Sequence, residues 1–160
     1  MRTDIISMGL SLALIAFTAC FAFADDSKKT ADAKANVTKI TILGSDQMQF
    51  NLKEIKVKKG TKIELTMKHS GKLPVNVMGH NFVLLKQGVD LAQFAAAAMK
   101  GKDSNYVLPS QEKDVIAKTE VVGGGASTTI TFNAPEPGSY DFLCTFPGHY
   151  AMMKGKFIVE

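Results

Sequence analysis

Apolar and polar residues alternate along most of the chain. Ile40 and Ile42, then Ile63, Leu65 and Met67, then Ile130 and Phe132, Tyr140 and Phe142, and Phe157 and Val159 recur at every second position with other residues between them. Period two sets one face of an extended segment against a core and the other in water, so these runs predict half-buried β-strands. Between Phe50-Leu52 and Ile55-Val57 the phase changes, which calls for one extra residue, either as a bulge or in a strand that passes from one sheet to another. Gly60, Gly71, Gly123 to Gly125, Pro135 and Pro137-Gly138 mark turns. Seven or eight strands joined in this way predict an all-β chain folded as an antiparallel sandwich. Asp90 to Lys100 is the exception. Its alanine-rich run Leu91 to Met99 ends before Gly101, the best helix former followed by a favoured stop, and predicts one short inserted helix.

The amino-terminal pattern is different. After Met1-Arg2-Thr3-Asp4, no charge occurs from Ile5 to Phe23, and Ala22-Phe23-Ala24 precedes Asp25-Asp26. An uncharged apolar run closed by small-x-small residues predicts a signal peptide over 1–24, cleaved after Ala24, and a periplasmic destination. A retained membrane anchor is the rival reading, since about 20 apolar residues can span a bilayer. A lipid anchor on Cys20 is another, but Phe17-Thr18-Ala19-Cys20 only loosely resembles a lipobox, with Phe where Leu is usual. The mature protein is expected to have no membrane span. Residues 25–36 are polar and poor in bulky side chains and predict a flexible leader, with the folded domain over 37–160.

Composition narrows the chemistry. The formal net charge is +4. Every cation after Arg2 is a lysine, and the lysines are scattered, without clustered arginine or interleaved aromatics; this predicts a solvated surface and argues against nucleic acid. Of the two cysteines, Cys20 lies in the signal segment, so Cys144 stands alone in an exported chain and cannot form an internal disulfide. A thiol in an oxidising compartment must be buried, catalytic or bound to metal.

Cys144 keeps the phase of Tyr140 and Phe142, so its sulfur should face the core. Met153 keeps the phase of Phe157 and Val159, while the adjacent Met152 must point the other way. Pro147-Gly148 makes a turn between them, so one loop can bring the thiolate, the His149 imidazole and the Met153 thioether together. His80, Phe82 and Leu84 share another face. Two histidines and one cysteine in a trigonal set, with a weak axial methionine, form the donor group of a blue copper site.

Cys144-Thr145-Phe146-Pro147-Gly148-His149 followed by Met153-Lys154-Gly155 resembles the ligand loop of azurins, with spacing Cys-x4-His-x3-Met. Asn76-Val77-Met78-Gly79-His80-Asn81, Asp46 to Asn51 and Val115 to Thr119 resemble three further azurin segments. The resemblance implies a cupredoxin-like Greek-key β-sandwich holding one type 1 copper, a one-electron carrier and not an enzyme. It implies equatorial ligands His80, Cys144 and His149, an axial Met153, and the carbonyl oxygen of Gly79 on the opposite side. It further implies that the backbone amides of Asn81 and Phe146 donate to the Cys144 sulfur, that Asn81 ties the two ligand loops, and that Met48, Leu73, Val77, Met78, Phe146, Pro147, Gly148 and Met152 ring the His149 edge as a docking patch. The implied partners are redox proteins, c-type cytochromes or copper or haem reductases, with no small-molecule substrate. Two positions depart from the pattern: Lys39 and Lys62 stand near where azurins carry a disulfide, and Phe82 replaces a tryptophan.

Plainer readings accompany these. Met67 and Met99 are expected to fill core space, and His69 to be a satisfied, partly buried residue whose match to an azurin histidine leaves a pH-sensing role open. A cysteine hydrolase using Cys144 with His149 or His80 as base would need a cleft and an orienting Asn or Asp, and would leave Met153 without a role. A module that stores or delivers copper without carrying electrons is the other alternative.

Overall fold

In the computed structural model, residues 37–160 are described. The expectations for 1–24, for Cys20 and for the leader 25–36 fall outside them. Among the described residues no helix is long and apolar enough to cross a membrane.

The strands are β1 (Val37–Gly44), β2 (Glu54–Val57), β3 (Lys62–His69), β4 (Val83–Leu85), β5 (Val115–Lys118), β6 (Ser127–Asn133), β7 (Gly138–Leu143) and β8 (Lys154–Val159). They form a three-stranded sheet, β1-β3-β6, and a five-stranded sheet, β2-β8-β7-β4-β5. The periodicity placed the faces correctly: in β3, Ile63, Leu65, Met67 and His69 are buried, and in β7 Tyr140 and Phe142 are. Ile63, Leu65, Met67, Tyr140 and Phe142, with Ile42, Phe82, Leu84, Cys144, Met153, Phe157 and Val159, form the core between the sheets.

Strand direction differs from the expectation. β1 runs parallel to β3 and β2 parallel to β8, while β3–β6, β4–β5, β4–β7 and β7–β8 are antiparallel. Alternation specifies which face is buried and is silent on the direction of the neighbour. The phase change after Leu52 resolves as a crossing between sheets. Phe50 makes an isolated bridge with Gly44 at the end of β1, and by Glu54 the chain has joined β8 in the other sheet.

Two helices accompany the sandwich: α1 (Val75–Met78), a single turn that the sequence pattern did not predict, and α2 (Leu91–Ala98). The Asp90 side chain accepts a hydrogen bond from the Gln93 amide at 2.9 Å and caps α2. Phe94, Ala95 and Ala98 of α2 pack with Val83, Leu85 and Leu143 on the outer face of the five-stranded sheet, in a second apolar cluster. β4 is therefore buried on both faces and reads as a continuous apolar run, with no alternation. Met99, expected in the core, sits at the end of α2 and is 42 % exposed, because the helix turns its Phe94-Ala95-Ala98 face inward.

Lys39 and Lys62 do not face each other. In the β1–β3 ladder Lys39 pairs with Glu64, with Nζ 2.8 Å from Oε1, and Lys62 with Val37. An exposed ion pair of this kind contributes well under about 1 kcal/mol. β1 is held by its eight-residue pairing with β3 and by burial of Ile42.

Candidate metal centre

β7 aims its residues by alternation. Tyr140 and Phe142 enter the inter-sheet core, Leu143 faces α2, and the next residue, Cys144, returns to the core with no accessible surface. The chain then turns back on itself. Gly148 takes φ 81°, the left-handed region open to glycine, and the His149 amide donates to the Phe146 carbonyl at 3.0 Å. A 3-10 turn over His149–Ala151 follows, and the Cys144 amide donates to the Met153 carbonyl at 2.9 Å. Met153 is fully buried in the same core cluster as Cys144 and Met152 is 50 % exposed, the opposite orientations expected of neighbours.

His80 comes from the segment entering β4, where it bridges to Val122 with hydrogen bonds in both directions, 3.0 and 2.8 Å. Gly44 makes room for its ring, and Gly79 lets the preceding backbone pass close to Val121 and Phe146. A Cβ on Gly44 would lie 2.6 Å from the His80 ring, and one on Gly79 would lie 2.6 Å from the Val121 side chain and 2.7 Å from the Phe146 ring. With these side chains absent, the Gly79 carbonyl reaches 4.0 Å from the Cys144 sulfur.

Three donors converge. His80 Nδ1 is 3.2 Å from His149 Nδ1, and the Cys144 sulfur is 4.0 Å from the first and 3.7 Å from the second. A point about 2.1 Å from all three lies at the centre of this triangle, close to the bond lengths that imidazole and thiolate make with first-row metals. The His80 Nε2–H donates to the Ser45 carbonyl at 2.9 Å, which leaves Nδ1 as a lone pair aimed at the centre. Ser45 is a support that sequence reasoning missed, because a backbone carbonyl leaves no residue-type signal.

Electrostatics fit a cation there. Burial pushes the Cys144 thiol up to about 12, against the backbone N–H groups of Asn81 and Phe146, which donate to the sulfur and favour the thiolate. Burial also lowers His149 to about 4, helped by the adjacent His80 and His69, and lowers His80, where the Ser45 carbonyl acts in the opposite sense. At neutral pH both imidazoles are therefore neutral donors. The thiolate, which this apolar pocket does not hold uncompensated, is the form that a soft cation would stabilise.

Asn81 links the two ligand segments. Its Oδ1 accepts from the Thr145 amide at 2.9 Å and its Nδ2 donates to the Thr145 hydroxyl at 2.8 Å. His69, expected to be partly buried, is fully buried and satisfied: the Gly71 amide donates to Nδ1 at 3.0 Å, which places the ring hydrogen on Nε2, 2.7 Å from the Met78 carbonyl. Its ring stacks on His80 at 4.4 Å.

His149 retains 3 % of its surface. Its Nε2 makes no hydrogen bond among the described residues, where every fully buried side-chain nitrogen or oxygen is paired, so this edge is the part that water reaches. Of the residues that the resemblance places on a docking patch, Leu73, Val77 and Met152 are exposed by 38, 53 and 50 %, Pro147 and Gly148 are also exposed, and Met48 and Met78 are half-buried. Phe146 corrects the expectation of a surface position. It is buried at 8 % exposure, its ring 4.8 Å from that of His149. Val75, 46 % exposed, shares with Val77 the single turn α1, a turn too short to leave a periodic signal in the sequence.

The family model for copper-binding proteins of the plastocyanin/azurin family matches residues 36–160. The chain belongs to that family. It is similar to the azurin of Pseudomonas chlororaphis, 42 % identical over 127 residues that cover 76 % of this chain and 98 % of the relative. It is likewise similar to the azurin of Bordetella pertussis, at 44 % over 72 % and 79 % of the two chains. Among solved structures, a reduced auracyanin from Roseiflexus castenholzii superposes with a TM-score of 0.68 at 37 % identity, covering 77 % of this chain and 97 % of that one. An azurin from Methylomonas sp. strain J gives 0.68 at 31 %, covering 76 % and 97 %. As in other azurin-family chains the cofactor is one type 1 copper, and the His80-Cys144-His149 group fits it.

For this azurin-family protein without its metal, the buried donors predict a bounded pH range of stability. His149 is neutral when folded, at about 4, and returns to 6.5 when unfolded, so the unfolded chain binds more protons as pH falls below 6.5 and stability drops. Cys144 keeps its proton to about 12 when folded and loses it near 9.0 when unfolded, so stability drops again as pH rises past 9.0. The metal-free protein is expected to melt at its highest temperature between these limits and at progressively lower temperature as pH falls from 6.5 toward 4. A melting temperature that stays flat from pH 7 to 4 would contradict the assignment.

Proposed function

We propose that the protein is an exported, periplasmic one-electron carrier, released by cleavage after Ala24, whose residues 37–160 hold copper through His80, Cys144 and His149 with Met153 and the Gly79 carbonyl as axial contacts. Bound copper supplies a Cu(II)/Cu(I) couple. The chain supplies the rest: Ser45 orients His80, the amides of Asn81 and Phe146 withdraw charge from the sulfur, and the two sheets and α1 exclude water. The single observation that carries this reading is the convergence of two imidazole nitrogens and one sulfur on a common point in a packed core, with the His80 ring oriented by its hydrogen bond to Ser45. A framework so fixed resists a change of geometry between oxidation states, which favours rapid exchange.

The His149 edge is the proposed exit for the electron, and the apolar residues around it the proposed landing surface for c-type cytochromes or copper or haem reductases. A small apolar surface without interlocking charges suits brief encounters. The experiment is a visible and electron-spin-resonance spectrum of the copper-loaded mature protein, with its electron self-exchange rate. An intense band at about 600 nm and a compressed copper hyperfine splitting are expected, with fast exchange. Slow exchange together with ready transfer of copper to another protein would replace the carrier by a delivery module.

A further inference from the structure

Two consecutive residues outside the ligand loops adopt backbone conformations that side chains rarely take. Asn105 has φ 54° and Tyr106 φ 57°, both left-handed and neither glycine. An aromatic residue stays there only when its surroundings hold it, and such strain collects where a site needs it. The Tyr106 amide donates to the Gly101 carbonyl at 2.7 Å, and the Val107 amide to the Ser104 carbonyl at 3.1 Å, which close the turn around the pair.

The left-handed pair touches both supports of the thiolate. The Asn105 carbonyl accepts from Asn81 Nδ2 at 3.1 Å, and its Oδ1 accepts from the Val121 amide at 3.3 Å. Asn81 Nδ2 thus divides its two hydrogens between Asn105 and Thr145, and the amide plane is fixed. The Tyr106 ring meets the Phe146 ring edge-on, with centroids 5.1 Å apart at 65°. Phe146 is confined on its other sides by the His149 ring and by the backbone at Gly79. Asn81 and Phe146 are the two residues whose backbone N–H groups donate to Cys144.

We propose that Asn105 and Tyr106 are positioning residues for electron transfer: a left-handed brace that holds both amide donors, Asn81 and Phe146, on the Cys144 sulfur. The proposal rests on the ligand set proposed above. The Tyr106 contact is made by the ring, so Phe should serve in its place. Held donors withdraw electron density from the sulfur; a loosened donor returns it, and the oxidised metal gains.

The test compares Tyr106→Ala and Tyr106→Phe in the copper-loaded protein by midpoint potential, by the energy of the thiolate band, and by amide hydrogen exchange at residues 81 and 146 in the Cu(I) form. Tyr106→Ala is expected to lower the potential and speed exchange of the Phe146 amide, while Tyr106→Phe matches the parent in both. Asn105→Ala keeps the carbonyl that Asn81 Nδ2 donates to but loses the Oδ1 bond to the Val121 amide and the tolerance of asparagine for the left-handed region, so the turn should loosen and the Asn81 amide should exchange faster. Tyr106→Leu replaces the Ala variant if that one does not fold. Three results would each overturn the brace: potential and amide exchange both unchanged in the Ala or Leu variant, a lowered potential with Phe146 exchange unchanged, or a Phe variant that behaves like Ala. A parent protein without a thiolate band would remove the ligand assignment instead, and amide exchange in the metal-free variants would still read the brace.

Discussion

Cys144→Ser is expected to give a folded protein that takes up Cu(II) and shows essentially none of the absorption at about 600 nm that marks a blue copper site. The band arises from charge transfer out of a thiolate, and Cys144 is the single cysteine among the described residues. A serine hydroxyl fits the same volume, and the Asn81–Thr145 hydrogen bonds that join the ligand segments do not involve the side chain being replaced. The fold should therefore survive while the colour does not. Visible absorption and electron-spin resonance on copper-loaded samples provide the check, and a retained blue band of parental intensity would remove Cys144 from the coordination sphere.

The second large effect is expected at the surface end of the centre. His149→Gly removes both a nitrogen donor and the one ligand edge that reaches water, so copper should remain held by His80 and Cys144 with an open position. Electron self-exchange should fall by orders of magnitude, and added imidazole should restore the colour by entering the vacated space. The substitution falls beside Gly148, already left-handed, and the turn's other anchor, the Cys144–Met153 hydrogen bond, is main-chain and stays. An unaltered self-exchange rate would show that electrons leave by another route.

Most of the centre was legible in the sequence because its parts obey local rules. Period two orients Cys144 and Met153 with their strands, and the turn residues Pro147-Gly148 bring His149 back toward both. What escaped depends on distant neighbours. Ser45 acts through a carbonyl that every residue possesses. Phe146 is buried, and not exposed as expected, with the ring of Tyr106, forty residues away in sequence, packed against it. Met99 looked like core by residue type, but the face α2 buries is set by the small side chains of Ala95 and Ala98 against β4 and β7. The parallel pairing of β1 with β3 was illegible for the same reason, since the preference of a strand for one neighbour's direction is a property of the assembled sheet.

That parallel pairing has a practical result. β1 reaches the redox end with Gly44, against the His80 ring, so Val37 lies roughly 23 Å away along the strand. β8 leaves the same end at Lys154 and finishes at Val159, opposite Gly138. Both ends of the domain thus emerge at the pole remote from the metal, and a tether, a fused reporter or an electrode linker attached at either one would leave the metal-bearing end unobstructed.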